Sequence, residues 1–246
     1  MSNTINVQAI DMLVDVFGTA RRIFPTLIWD DEGATLVDAM FPGNFDQLKQ
    51  GIEQAGVSFQ KLKRVIITHQ DWDHIGTLSE ILAAGKGQIE LWVHVDEKPY
   101  LEGTIHYLKM TPERIASMLK TVPEGLRDDA AAMLSKIPTA SVQRVLEDGE
   151  MLPIHGGLKV IHTPGHSPGH ICLYLAAERL LIAGDQLQVE NGQLLGPSEI
   201  YSLDLHAALN SLKKLVGYDI DRVICYHGGV YTNNATASIS ALVSVI

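Results

Sequence analysis

Two imidazoles and two carboxylates fall within six residues at His69-Gln-Asp71-Trp-Asp73-His74. Together they are the donor set of zinc, iron or manganese ions. The segment follows Arg64 to Thr68, a short apolar, β-branched run of the kind that forms a buried strand. A loop at the end of such a strand can aim several side chains at one point, whereas a helix would splay them. Three later residues share this setting: His166 in Thr163-Pro-Gly-His-Ser-Pro-Gly-His170, Asp185 in Ala183-Gly-Asp185, and His227 in Cys225-Tyr-His-Gly-Gly229. Each follows a β-like run and sits in a glycine-containing loop, where reactive groups are commonly mounted on rigid scaffolds. A solvated acidic turn would account for His69 to His74 alone, but not for the three later matches.

The elements that must position these residues alternate short β-rich runs with helical ones, which predicts a mixed fold rather than a helical bundle. Strand-like runs cover Ala9 to Phe17, Thr26 to Trp29 and Ala34 to Ala39, and Phe45 to Gln54 reads as a helix after the Pro42-Gly43 turn. Ile89 to Val95 is a further strand. The stretch from about 99 to 140 is helical instead, opened by Thr111 as a cap with Pro112 behind it. It reads as an insertion between two β-rich halves. The second half carries strands near Val142 to Leu146, Leu158 to His162, His170 to Leu175, Leu180 to Ala183 and Asp221 to Cys225. Helices near Leu205 to Leu215 and Asn233 to Ile246 complete it.

The chemistry-bearing set resembles the metallo-β-lactamase-fold hydrolase superfamily, whose motif H-x-H-x-D-H is followed by single His, Asp and His ligands in that order. Here the steps are 92 residues from His74 to His166, 19 on to Asp185 and 42 on to His227. The Leu36-Val-Asp38 run with its Pro-Gly turn resembles the family's opening. The resemblance spans nearly the whole chain and implies one domain over residues 1–246, of α+β class. Its architecture would be an αββα four-layer sandwich with the helical insertion. It further implies two divalent ions, zinc first by family. One would be held by His69, Asp71 and His166 and the other by Asp73, His74 and His227, with Asp185 bridging and Asp73 as the catalytic carboxylate. A hydroxide between the ions would attack the substrate, the ions lowering the pKa of water from 15.7 towards about 7.

One departure matters. The family's second histidine is Asp71 here. Two divalent ions then face three carboxylates and a hydroxide, which leaves no residual charge, where the His version keeps one positive charge. A carboxylate is also the harder ligand, so Asp71 leans the site towards manganese or iron. Flavodiiron oxygen reductases of the same superfamily carry a carboxylate at this position. A diiron oxygen-reducing or oxygen-sensing protein lacking the flavin domain is therefore the alternative to a hydrolase. Hydrolases of the family act on β-lactams, lactones, thioesters and phosphodiesters. Gln188, three residues past Asp185, stands where acyl-homoserine lactonases place a tyrosine, and basic residues are sparse beyond Lys214. A small, neutral or weakly charged ester, lactone or thioester remains the expected substrate.

Other residues invite plainer readings. His106 and Tyr107 sit in the insertion with Tyr100 and are the candidates for substrate contact, if the insertion is a lid rather than an aromatic clasp. His162 and His170 read as groups that orient loops, His94 as structural, and His155 and His206 as surface residues. Cys172 and Cys225 read as buried small residues.

Composition narrows the classes further. The 246 residues, 46% of them hydrophobic, suffice for a sizeable core. A net charge of -10 argues against a nucleic-acid or polybasic membrane partner. Two cysteines make no disulfide framework, and Met1 to Ile10 lacks the pattern of a secretory signal, so a cytoplasmic enzyme is expected. Nothing in the pattern identifies an interface, and a homodimer stays an open option.

Overall fold

The computed structural model describes residues 4–246. Two six-stranded sheets lie face to face. The first runs, in spatial order, Asn6–Ala9, Thr26–Asp30, Gly33–Val37, Leu62–Ile67, Glu90–His94 and Arg144–Leu146. Its first three strands are antiparallel neighbours, and every pairing from Gly33–Val37 onward is parallel. The second sheet runs Gly229–Tyr231, Arg222–Cys225, Leu180–Ile182, Ile171–Leu175, Leu158–His162 and Met151–Leu152.

Period-2 alternation decides what each sheet buries. In the strand Leu62–Ile67, Ile66 points between the sheets, where it meets Val37, Val160, Leu173 and Ile182. Val65 and Ile67 point outward and pack with Leu48, Ile52, Leu78 and Ile81 of the helices Phe45–Gln54 and Leu78–Ala84. That is why the strand is apolar on both faces. On the far side, Cys172, Leu181 and Val223 turn away from the sheet interface towards Leu212 and Ile239 of helices Leu205–Lys213 and Ala235–Ser244. The result is the expected α+β arrangement of helix, sheet, sheet and helix in four layers.

Residues 99–140 form the expected helical insertion, with helices Pro112–Thr121 and Arg127–Leu134. Thr111 caps the first, its hydroxyl accepting from the Arg114 amide. The run expected as one strand over Ala9 to Phe17 instead divides. Asn6–Ala9 joins the first sheet, while Met12–Val16 folds into a separate hairpin with Thr19–Ile23 around Phe17-Gly18. Gln188–Glu190 and Gln193–Leu195 form a second hairpin that the pattern does not announce. Among the described residues no helix is long and apolar enough to cross a membrane.

Candidate metal centre

All seven residues singled out from the sequence converge at one edge of the sandwich. The strand Leu62–Ile67 delivers the segment His69 to His74, and a single turn of helix, Trp72–Ile75, sets His74 back over it. Asp71 stands at the N-cap of that turn but makes no capping bond, which leaves its carboxylate free to face the centre. The loops after His162, Ile182 and Cys225 then supply His166, Asp185 and His227.

Two groups form. Asp71 Oδ2 lies 3.4 Å from His69 Nε2 and 3.0 Å from His166 Nε2. Asp73 Oδ2 lies 3.8 Å from His74 Nε2 and 3.4 Å from His227 Nε2. Asp185 reaches both: its Oδ2 is 3.5 Å from His166 Nε2 and 3.4 Å from His227 Nε2, and its Oδ1 is 3.2 Å from His74 Nε2. Each group brings its donor atoms close enough together to hold one ion.

The surroundings fix the donor directions. Asp38 ends its strand at φ 66°, a left-handed conformation that an aspartate adopts more readily than most residues. Its Oδ1 accepts from the Thr68 amide at 2.8 Å, and its Oδ2 faces His74 Nδ1 at 2.9 Å. That pairing turns His74 Nε2 inward. The buried His170 accepts from the Asp185 amide at 3.0 Å and so sets the loop that presents Asp185. Tyr226 donates its hydroxyl to the Asp73 carbonyl at 2.6 Å. Gly165 has φ 132°, and a Cβ there would stand 2.1 Å from the backbone nitrogen of Ala208. Only glycine lets the His166 loop pack so closely on the helix Leu205–Lys213.

Whether this arrangement suits metal ions is answered by its unpaired atoms. His69 Nε2, Asp71 Oδ1, His74 Nε2 and Asp185 Oδ1 are buried and make no hydrogen bond. Buried polar atoms are normally satisfied, so several unpaired donors gathered at one edge of the sandwich call for a further partner, and the donor set is that of a divalent cation. Titration points the same way. Burial opposes charge on His227, yet Asp185 and Asp73 raise it to about 10, and His74 is likewise held well above its usual value against burial by Asp185, Asp38 and Asp73. The carboxylates around both rings favour positive charge there. His69, with burial and His74 against it, falls to about 4.

The centre opens into a cleft of ≈ 610 Å³. Phe17, Phe41, Trp72, Met110 and Met118 give it apolar walls, and Arg21 and Arg114 stand along it without an ion-pair partner among the described residues. Tyr107 is on the cleft wall, its hydroxyl donated to the Pro138 carbonyl at 2.7 Å, while His106 is exposed. His155 is not the surface residue expected. It is buried, with Nδ1 2.7 Å from Asp30 Oδ2 and Nε2 2.7 Å from Thr35 Oγ1. His94, Asp96 and His162 also gather, but the two rings stack at 3.9 Å and His162 Nε2 donates to the Pro168 carbonyl. That trio clasps two loops.

Two residues near the centre have no signal in the sequence. Lys109, from the insertion, lies 2.7 Å from Asp71 Oδ2 and 2.8 Å from His166 Nε2. Glu97 is fully buried and accepts from the Ser167 hydroxyl at 2.6 Å and the Gly169 amide at 2.8 Å, bracing the loop that carries His166.

The four-layer sandwich thus carries, at one edge, two neighbouring groups of His and Asp side chains that could each hold a metal ion. Residues 18–227 match the family described as the metallo-beta-lactamase superfamily, and the chain belongs to that superfamily, a class of metal-dependent hydrolases. Among curated relatives it is 29% identical over 221 residues to a Bacillus subtilis protein named "Probable metallo-hydrolase YflN", covering 85% of this chain and 80% of that one. It is 26% identical over 211 residues to the hydroxyacylglutathione hydrolase GloC of Haemophilus influenzae, covering 84% of this chain and 85% of that one. The fold is shared with the metallo-beta-lactamase family protein TTHA1429 of Thermus thermophilus, with a TM-score of 0.70 at 23% identity over 97% of this chain and 78% of that one.

Proposed function

We propose that this chain hydrolyses a small ester, lactone or thioester at a centre of two divalent ions. His69, Asp71 and His166 would hold one ion, Asp73, His74 and His227 the other, and Asp185 would touch both. The observation that carries this reading is the set of buried, unpartnered donor atoms facing one another across the centre. Ions bound there would supply a nucleophilic oxygen at neutral pH and polarise the substrate carbonyl. Zinc is the ion favoured by family resemblance, and the carboxylate of Asp71 makes manganese or iron compatible.

The chain's own groups divide the remaining work. Asp73 sits at the cleft wall with its backbone tied by Tyr226, so its carboxylate is placed at the reacting end. Phe41 and Trp72 meet edge to face at 4.9 Å and give that end of the cleft an apolar wall. Arg21 and Arg114 suit an anionic end on the substrate, with the apolar walls taking its acyl part. Within that class, the two arginines favour a substrate with an anionic part, such as an acyl thioester on an anionic carrier.

The test is a panel of esters, lactones and thioesters offered to metal-stripped protein before and after reloading with Zn²⁺, Mn²⁺ or Fe²⁺. Turnover should appear only on reloading, and Asp73→Ala should abolish it while leaving the circular dichroism spectrum unchanged. No turnover with any ion on any substrate class would overturn the proposal.

A further inference from the structure

Lys109 is the residue that the reading above leaves without a role. It comes from the insertion and is only 8% exposed. The amide of Leu108, next in the chain, donates to the Gln70 side chain at 2.9 Å, so the insertion is pinned to the loop that bears the centre. Lysine is rarely buried unless paired, and here the pair is Asp71. Asp71 adds one negative charge relative to the histidine of the family motif, and the Lys109 ammonium returns one positive charge. The two charges compensate.

The contact with His166 adds a stronger constraint. His166 Nε2 lies 2.8 Å from the Lys109 ammonium and 3.0 Å from Asp71 Oδ2, so it is already engaged, and towards the ammonium, which only donates, it offers its lone pair. An imidazole nitrogen has one such lone pair, and a metal ion needs the same one. Asp71 Oδ2 is engaged by Lys109 as well, at 2.7 Å. Among the described residues no lysine or arginine stands against His74 Nε2, whose neighbour is Asp185 Oδ1 at 3.2 Å. The two halves of the centre therefore differ: only the one formed by His69, Asp71 and His166 has a lysine tethered against its donors.

We infer that Lys109 is a built-in competitor for the metal position formed by His69, Asp71 and His166. The first ion binds at Asp73, His74 and His227 with Asp185, and a second enters only by displacing the Lys109 ammonium from Asp71 and His166. Loading is unequal, with one tight ion and one weak one. The inference rests on the reading of this centre as a metal site, and deepens it.

The test is metal stoichiometry. Full-length, metal-free protein is titrated calorimetrically with Zn²⁺, and the ion retained after gel filtration is counted by elemental analysis. Wild type should retain close to one equivalent and show a weaker second step. Lys109→Met should retain two, with the second step tightened about 10- to 100-fold, the range expected for losing a charged hydrogen-bonding competitor. Asp71→His/Lys109→Met guards against a folding failure of the single variant, because it rebuilds the half-site without either charge, and it should also retain two. Equal retention in wild type and both variants would overturn the inference while leaving the metal centre standing. No retention by any of the three would remove the metal centre, and the inference with it.

Discussion

Asp38 is 2% exposed and belongs to no ligand group, yet its replacement by asparagine should disable one half of the centre. The perturbation is small in shape, and asparagine tolerates the φ of 66° as well as aspartate does, so the backbone is not strained. One carboxylate oxygen becomes a donor. If the remaining oxygen keeps the Thr68 amide at 2.8 Å, the new NH₂ faces His74 Nδ1 at 2.9 Å. The ring then accepts at Nδ1 and carries its proton on Nε2, where an ion would need the lone pair. Supporting partners of metal-bound histidines are worth about 10- to 100-fold in metal affinity, and the upper end is expected because the tautomer itself changes. Stability should fall as well, by about 2 kcal/mol, for the loss of one buried ion pair. The assay is competition with a chromophoric chelator for Zn²⁺, paired with urea unfolding of the metal-free protein. Affinity within about twofold of wild type would refute the claim that Asp38 sets the His74 tautomer.

Three further outcomes follow from the same geometry. Burial raises Glu97 to about 7, against the bonds from Ser167 and Gly169, so the folded protein holds a proton that the unfolded chain releases near pH 4.5. Its contribution to stability is then largest below that pH and is lost as pH rises to 7, by up to about 3 kcal/mol. Glu97→Gln should remove that slope, and a wild-type-minus-variant difference that stays flat between pH 4 and 8 in urea titrations would contradict it. Gly165→Ala places a Cβ 2.1 Å from the Ala208 nitrogen and should cost about 2–4 kcal/mol and displace His166, whereas Gly192→Ala, with open space around it, should cost about 1 kcal/mol in the same thermal melts. Asp71→His exchanges a hard ligand for a softer one, so loading from an equimolar mixture of Zn²⁺ and Mn²⁺ should shift towards zinc. An unchanged ratio would show that Asp71 does not set metal preference.

The centre is legible in the sequence because its chemistry is concentrated. Six residues hold four of the donors, and the other three stand in glycine loops behind apolar strands, a pattern that needs no long-range information. The strand Leu62–Ile67 is equally plain, since burial on both faces leaves a continuous apolar run. The strand Met12–Val16 reads as continuous with Ala9 because period-2 alternation carries on through Ile10 and Asp11, and nothing in that run announces its return partner Thr19–Ile23. His155 misleads for a related reason. Its loop looks polar, but its partners Asp30 and Thr35 come from strands more than 100 residues away. Lys109 and Glu97 are invisible for the same cause: each acts across the fold, on residues that no local spacing connects to it. The expectation for Asp71 changes accordingly, because Lys109 returns the charge that the carboxylate subtracts.

The most direct test of the central claim is elemental analysis of protein purified without added metal or chelator, run beside Asp185→Ala. Asp185 reaches both groups of donors, so wild type should carry at least one equivalent of zinc, manganese or iron, and the variant should lose most of it. A wild-type protein that binds no ion, or a variant that binds as much, would contradict the account.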